Sequence, residues 1–179
     1  MRNRSVLFML SFVSFILCSC SSMQTTTPTS SSQENYPADY ASRLPQHLSG
    51  GKAVLVDPNV HAWGAYDTDG SLLRAGLISA GSNWCPDLGR PCHTYPGTYH
   101  VYSLGSEGCK SHIFPIPRGG APMPYCMYFH GGQALHGSPE GEVVEGNISH
   151  GCVRMHVSDA EWLRFNFVNV GTKVIVKSY

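Results

Sequence analysis

A cysteine near the C-terminal end of the chain is surrounded by residue types that can activate a thiol. Cys152 lies in the segment Ser149-His150-Gly151-Cys152-Val153-Arg154-Met155. A free cysteine has a pKa of about 8.5, so a nucleophilic thiol needs a base or a cation beside it at neutral pH. His136 ends a predicted strand and is a candidate base. Gly151 would let a backbone amide approach an oxyanion closely. These residues predict nucleophilic catalysis at Cys152.

Two other interpretations of the same residues stay open. Cys152 could be a small buried thiol beside core histidines, because free cysteine is among the most buried residue types. Alternatively, His136, His150 and Cys152 could hold a zinc ion. The close ligand pairs typical of structural zinc sites are missing here, so the sequence favours no metal.

The other cysteines of the C-terminal region predict two disulfides. Cys85 and Cys92 enclose a short Pro-rich loop, and Cys109 and Cys126 enclose a longer one. Four cysteines allow three connectivities. The two sequential pairs are favoured because each closes a local loop, and they leave Cys152 as a free thiol.

The segment 105–126 is too long and irregular for a passive connection in a compact domain. We expect it to form one wall of a substrate groove, with Tyr125, Tyr128 or Phe129 beneath it. A stabilised surface loop without a binding role is the alternative.

The elements that position these residues begin after an export signal. Residues 1–4 are basic, and Ser5 to Leu17 form an apolar run too short to span a bilayer. The run ends in Leu17-Cys18-Ser19-Cys20, which resembles the lipobox of bacterial lipoproteins. The resemblance implies removal of residues 1–19 and acylation of Cys20. An ordinary signal peptide cleaved near Ser22 is the alternative.

A lipoprotein of this kind with Ser21 after its acylated cysteine is expected at the outer membrane. We therefore expect an exported lipoprotein on the periplasmic face of the outer membrane of a Gram-negative bacterium, bound to lipid through its acyl anchor. Residues 20–48 form the lipidated N-terminus and a flexible tether, since residues 21–35 are mostly Ser, Thr, Gln and Pro. Residues 49–179 form the folded domain.

The charge balance excludes one class of partner. The chain has 12 Lys and Arg against 12 Asp and Glu. Because nucleic-acid binding needs a basic footprint, no nucleic acid is expected as a partner. No second long apolar run exists, so no membrane span is predicted.

From residue 52 the chain alternates short apolar runs with turns, and its 19 glycines and 12 prolines lie mostly between those runs. Ser158-Asp159-Ala160-Glu161 is a capping box that predicts one helix, ended by Gly171. The sequence thus predicts a mainly β domain, a sandwich or barrel, with one helix near the C-terminus. The predicted strands cover residues 53–56, 63–66, 72–79, 97–102, 125–129, 133–135 and 172–177.

His136-Gly137, followed by a loop and Ser149-His150-Gly151-Cys152-Val153-Arg154, resembles the signature of the YkuD-type L,D-transpeptidases. The similarity runs from about residue 52 to residue 179 and includes Gly97-Thr98-Tyr99. It implies the β-sandwich of that family, with one short helix near the C-terminus, and acyl transfer on peptidoglycan stem peptides without cofactor or metal. The cysteine-bearing segment 81–126 is similar to the subgroup described as enhanced-entry proteins.

The resemblance assigns a role to each motif residue. Cys152 would attack the carbonyl that follows the L-centre of a meso-diaminopimelyl residue. His136 would take the thiol proton and return it to the leaving amine. Ser138 and Ser149 would orient the histidines, and backbone amides near Gly151 and Cys152 would form the oxyanion hole.

The remaining motif residues would shape the site and hold the substrate. His150 would be structural or lie on the oxyanion side. Arg154, with a planar fork suited to carboxylates, would bind a substrate carboxylate together with Ser138 and Gly137, although a surface ion pair is the alternative for Arg154. The family's Thr-Pro-x-Gly turn stands here as Thr94-Tyr95-Pro96-Gly97, with the proline displaced by one residue.

Other classes compete with a monomeric transpeptidase. An L,D-carboxypeptidase or hydrolase would cleave the same bond, and a lipid-anchored wall-binding module would have kept the fold without turnover. The intact set of His136, Gly151 and Cys152 favours an enzyme. A papain-like hydrolase fits less well, because such enzymes place the cysteine before the histidine and only His156 follows Cys152.

Overall fold

The computed structural model describes residues 38–179. The predicted signal peptide, the predicted lipidation of Cys20 and the tether up to residue 37 lie outside these residues. Within the described part of the chain, no helix is both long and apolar enough to cross a bilayer.

Nine short strands dominate the described residues, and two helices flank them. A 3-10 turn, Glu140–Glu142, follows β7, and a π-helical turn, Leu163–Phe167, continues α2. In chain order the elements are α1 (Ala38–Ser42), β1 (Ala53–Asp57), β2 (Ala62–Tyr66), β3 (Leu72–Leu77), β4 (Gly97–His100), β5 (Ser103–Leu104), β6 (Met127–His130), β7 (Gln133–Ser138), β8 (Val153–His156), α2 (Val157–Trp162) and β9 (Lys173–Val176).

The strands form two sheets that enclose the main core. The first has the order β3-β2-β1-β9-β4 and the second the order β5-β6-β7-β8. Because side chains alternate across a strand, each sheet gives one face to the shared core, for example Val54 and Val56 from β1 and Val153 and Met155 from β8. The predicted fold class is confirmed.

The outer face of the first sheet is covered by residues that the sequence assigned to the tether. Leu44 is buried and packs with Leu55 and Tyr66, and Tyr40 and Leu48 border the same cluster. This cover explains why every residue of β1 is buried. Residues 40–48, which the sequence analysis assigned to the tether, thus pack on the first sheet, and the predicted start of the domain at residue 49 stays a prediction.

The second sheet contains the parallel pair that organises the site. β7 and β8 run parallel, with His136 opposite Arg154 and Leu135 opposite Val153. The sequence analysis missed β8, because Val153–His156 was interpreted only as part of the catalytic motif. Its alternating burial is nevertheless that of a strand with one covered face.

The helix near the C-terminus begins differently from the prediction. α2 starts at Val157 with His156 at its N-cap, so Ser158 lies inside the first turn and the predicted capping box is not formed. Glu161 instead accepts a hydrogen bond from the Tyr125 hydroxyl at 3.2 Å. The helical segment ends at Phe167 rather than at Gly171.

Candidate active site

The outward face of the second sheet carries the predicted nucleophile and base. His136 and Arg154 are register partners on β7 and β8. Cys152 lies two residues before Arg154, just ahead of β8, and therefore shares its face and that of His136. The opposite face, with Leu135 and Val153, belongs to the main core. Parallel pairing thus brings residues 16 positions apart in the sequence onto one surface.

Cys152 is the one cysteine among residues 38–179 outside a disulfide, and it is half-buried. Its Sγ lies 3.9 Å from the carbonyl oxygen of Gly132. Burial raises the pKa of the thiol above its ordinary value, while the Ala134 backbone amide and the Arg154 charge act in the opposite direction. The thiol is therefore neutral at neutral pH, and its attack on a carbonyl requires a base.

His136 is buried and has the tautomer that a base at this position needs. Its Nδ1 lies 2.8 Å from the carbonyl oxygen of Gly137. A carbonyl only accepts hydrogen bonds, so Nδ1 carries the hydrogen and Nε2 keeps its lone pair. Burial lowers the pKa of His136 to about 4; the charge of Arg154 acts in the same direction and the bond to Gly137 against it. The imidazole is thus neutral and can accept a proton at Nε2.

Ser138 and Gly137 both contact the predicted base, and for Ser138 this fits the expectation that it orients a histidine. The Ser138 hydroxyl lies 3.4 Å from His136 Nδ1, a long contact with the predicted base. Gly137 accepts the Nδ1 hydrogen and donates its own amide to the Pro124 carbonyl at 2.8 Å. Both residues are buried, and the substrate-binding role predicted for them stays a prediction. They position the base.

Ser149 stabilises the loop of residues 149–152 that carries Cys152, here called the nucleophile loop. The sequence analysis had expected Ser149 to orient a histidine. Its hydroxyl donates to the carbonyl of Cys152 and accepts from the amide of Gly151 at 3.0 Å. That contact occupies the Gly151 amide. Of the two amides predicted to form the oxyanion hole, this favours the amide of Cys152, and the oxyanion role itself stays a prediction. Gly151 has a φ of +119°, and a Cβ there would lie 2.9 Å from Gln133 Nε2, so the turn requires glycine.

His150 connects the loop of residues 149–152 to both disulfide loops. Its Nε2 lies 2.8 Å from Asp87 Oδ2, and its ring stacks on Phe114 with centroids 4.4 Å apart. These contacts fit the structural role predicted for His150, and its oxyanion-side alternative stays a prediction. Among residues 38–179, the one group of clustered metal-ligand atoms is Cys85, Asp87 and His150, and Cys85 is already bonded to Cys92.

Arg154 supplies the positive charge of the site. Its Nη1 lies 3.7 Å from Glu142 Oε2, and the Glu142 side chain is about half exposed. A pair this long and this exposed contributes little stability. A substrate carboxylate could therefore displace Glu142, so the ion-pair interpretation and the carboxylate-binding interpretation are compatible.

Both predicted disulfides, Cys85–Cys92 and Cys109–Cys126, are present. The second one covers the outward face of the second sheet. Cys126 and Met123 pack on Ala134, with Cys109, Tyr128 and Cys152 at the edge of the same cluster. The segment 105–126 therefore borders the nucleophile.

Of the three aromatic residues expected beneath this segment, only Tyr128 packs in the cluster that borders Cys152. Phe129 and Tyr125 belong to the main core. Tyr128 also lines an open pocket of about 400 Å³ with Ser106, Cys109 and Lys110. Burial raises the pKa of the Tyr128 hydroxyl above its ordinary value.

Gln133 and Tyr179 had no functional signal in the sequence analysis, and Thr94 was noted only as part of the unusual Thr94-Tyr95-Pro96-Gly97 turn. Gln133 donates to the His93 carbonyl at 2.8 Å and accepts from the Tyr95 amide at 3.0 Å. Thr94 Oγ1 donates to the Gly151 carbonyl at 2.9 Å, and the Tyr179 hydroxyl accepts from the Thr94 amide at 2.8 Å. Their hydrogen-bond partners are distant in sequence, so no local sequence pattern pointed to a role for them in the site.

One protein family and several solved structures are similar to this chain. The YkuD family, described as the L,D-transpeptidase catalytic domain, matches residues 51–176. An L,D-transpeptidase structure from Xylanimonas cellulosilytica (residues 123-326) is 26% identical, with a TM-score of 0.62 over 78% of this chain and 67% of that one. No curated protein matches the chain by sequence.

Two mycobacterial structures share the fold at lower identity. The L,D-transpeptidase from Mycobacterium smegmatis is 23% identical, with a TM-score of 0.57 over 71% of this chain and 58% of that one. L,D-transpeptidase 3 from Mycobacterium tuberculosis, in complex with a faropenem-derived adduct, is 22% identical, with a TM-score of 0.56 over 72% and 60%. The chain spans less than two thirds of these two proteins. The family match over residues 51–176 nevertheless takes in both sheets and the nucleophile loop, so this chain belongs to the YkuD family of L,D-transpeptidase catalytic domains.

Proposed function

We propose that this protein is a cysteine-dependent L,D-transpeptidase that acts on peptidoglycan stem peptides through a thioester. The observation that carries the proposal is that His136, whose Nδ1 lies against the Gly137 carbonyl and leaves Nε2 to accept a proton, shares a sheet face with Cys152. A neutral base beside a neutral thiol generates the nucleophile only as the thiol attacks.

The reaction has two halves. His136 Nε2 takes the proton from Cys152 Sγ as sulfur bonds to the carbonyl carbon after a meso-diaminopimelyl L-centre, and the carbonyl electron pair moves to oxygen. The intermediate then collapses, the C–N bond breaks, and His136 returns the proton to the leaving amine. In the second half an acceptor amine attacks the thioester carbonyl, and His136 takes a proton from that amine. The C–S bond then breaks, and His136 returns this proton to the Cys152 sulfur.

Arg154 binds a carboxylate of the donor in this scheme. Its guanidinium is half-buried, and among residues 38–179 its one ion pair is the loose contact with Glu142 noted above. Diaminopimelate carries a second carboxylate on its side chain, which suits a planar, bidentate donor group.

We further propose, from the sequence alone, that Cys20 is acylated and that the enzyme works from the periplasmic face of the outer membrane. Membership of the enhanced-entry subgroup is a proposal with the same basis. Globomycin treatment of expressing cells, followed by mass measurement of the N-terminus, would test the lipidation.

The test of function is incubation of the protein with tetrapeptide-bearing muropeptides, with the products identified by mass spectrometry. We expect loss of the terminal D-alanine and formation of dimers, and neither reaction with Cys152→Ala. Loss of D-alanine without dimers would establish a carboxypeptidase instead. If the wild type released no more D-alanine than Cys152→Ala, the domain would be a binding module without turnover.

A further inference from the structure

Thr94 joins the nucleophile loop to a second segment of the chain through a fully buried hydroxyl. Its Oγ1 donates to the carbonyl of Gly151 at 2.9 Å and accepts from the amide of Gly81 at 2.9 Å. The side chain has no solvent exposure. Water cannot replace either hydrogen-bond partner unless the loop opens, so both hydrogen bonds persist in the folded state.

Tyr179 fixes Thr94 from the other side. Its hydroxyl donates to the carbonyl of Gly81 at 2.7 Å and accepts from the amide of Thr94 at 2.8 Å. Its ring stacks on His93 with centroids 4.8 Å apart. Tyr179, Thr94 and Gly81 thus form a closed ring of hydrogen bonds, and Thr94 makes the connection from this ring to Gly151.

The connection to Gly151 has a directional effect on Cys152. The Gly151 carbonyl and the Cys152 amide belong to one planar peptide unit and point in opposite directions. Holding the carbonyl therefore sets the direction of the Cys152 N–H. The neighbouring Gly151 N–H is already used by Ser149, so the Cys152 N–H is the amide of this loop that remains for an oxyanion.

We propose that Thr94 and Tyr179 are positioning residues that orient the Cys152 amide toward the oxyanion of the acyl-transfer step. Neither residue touches the substrate. The inference rests on the proposed function, because an oxyanion forms only when Cys152 attacks a carbonyl. A residue that only stabilised the fold would have no such selective effect.

This difference can be measured with two reagents that attack the same thiol. Faropenem is opened by attack on a carbonyl, which creates an oxyanion. Iodoacetamide reacts at a saturated carbon and creates none. For Thr94→Val and Tyr179→Phe we expect faropenem acylation to fall about 10- to 100-fold, while alkylation changes less than about 2-fold. Thr94→Ser, which restores the hydroxyl, should recover most of the acylation rate.

Tyr66→Phe is the matched control. The Tyr66 hydroxyl is also bonded to a backbone carbonyl, that of Pro45 at 2.8 Å, but it lies on the outer face of the first sheet. This variant should acylate at the wild-type rate.

Three outcomes would overturn the inference. Unchanged acylation in Thr94→Val and Tyr179→Phe would do so, as would an equal fall in both reactions, since equal losses indicate general distortion of the site. An acylation loss as large in Tyr66→Phe would have the same meaning. Failure of the wild type to react with faropenem, while it alkylates normally, would instead reject the proposed function, and the inference with it.

Discussion

His136 and Cys152 are both held in their neutral forms by burial, which sets the chemistry of the site at the scale of single residues. The pKa of the imidazole is lowered to about 4 and that of the thiol is raised. A stable thiolate–imidazolium pair is thus disfavoured, and proton transfer accompanies attack. The sequence identified both residues, because the motif lists them, but their protonation states depend on burial that no motif encodes.

We expect an unusually low acid limit for activity. The protonated His136 cannot accept the thiol proton, and it accumulates only near its pKa of about 4. Faropenem acylation should therefore stay nearly constant from pH 7 to pH 5 and fall below pH 4. A fall in the acylation rate centred near pH 6.5, the ordinary pKa of histidine, would contradict the burial argument.

The folded state must be checked at each pH in that experiment. Unfolded His136 regains an ordinary pKa of about 6.5, so between pH 6.5 and pH 4 the unfolded chain binds more protons than the folded one. Stability contributed by the neutral histidine is complete above pH 6.5 and is lost as the pH falls through this window. Circular dichroism at each pH separates unfolding from loss of the base.

Arg154 and Glu142 should give opposite results when changed. Arg154→Gln removes the proposed carboxylate contact, and we expect KM for stem peptide to rise about 10- to 100-fold, since hydrogen bonds to charged groups contribute roughly 1.5–3 kcal/mol. Glu142→Gln removes only a competitor for the guanidinium, so KM should fall slightly or stay unchanged. Steady-state kinetics on both variants measures this. Equal, small effects would favour a surface ion pair.

At the scale of elements, β7 and β8 bring the site together and the disulfide loops enclose it. The predicted strands at 53–56, 63–66 and 172–177 are close to the observed ones, because continuous apolar runs mark buried strands. β8 was missed because its residues were interpreted as part of the catalytic motif and not as a strand. The contacts of Ser149 and Gly137 were also missed, because hydrogen-bond partners across a loop leave no periodic pattern.

Phe114 should matter for binding more than for folding. Its ring holds the segment 105–126 against His150 in the nucleophile loop. An aromatic pair contributes about 0.5–1.5 kcal/mol, so Phe114→Ala should raise KM roughly 5-fold with kcat nearly unchanged. Its neighbour Ile113 is 63% exposed, and Ile113→Ala is the matched control with no expected change. A similar KM for both variants would show that the segment does not contribute to the groove.

At the scale of the whole molecule, one domain is covered on its outer face by the chain that precedes it. Residues 38–48 lie on the first sheet, while the site lies on the outward face of the second. The sequence analysis placed these residues in the tether because of the polar composition just before them. Leu44 and Tyr40 are too widely spaced to show a periodic pattern over so short a segment.

Leu44→Ala should destabilise the domain without changing its chemistry. The side chain is 5% exposed, and truncation of a buried leucine typically costs about 2–5 kcal/mol. We expect the urea midpoint to fall while faropenem acylation at pH 7 keeps its wild-type rate. Leu73 is 51% exposed, so Leu73→Ala should cost less than about 0.5 kcal/mol. An acylation defect in Leu44→Ala would mean that the two faces are coupled.

The parallel pairing of β7 with β8 also makes the connection between them a natural site for engineering. Residues 139–152 cross from the end of one strand to the start of the next, and hydrogen bonds of the sheet, not the length of this crossover, hold His136 opposite Arg154. Glu140 to Glu145, apart from Val143, are exposed there. A library with insertions in this stretch could therefore vary the rim of the groove, and with it the choice of acceptor amine, while the reacting pair keeps its spacing.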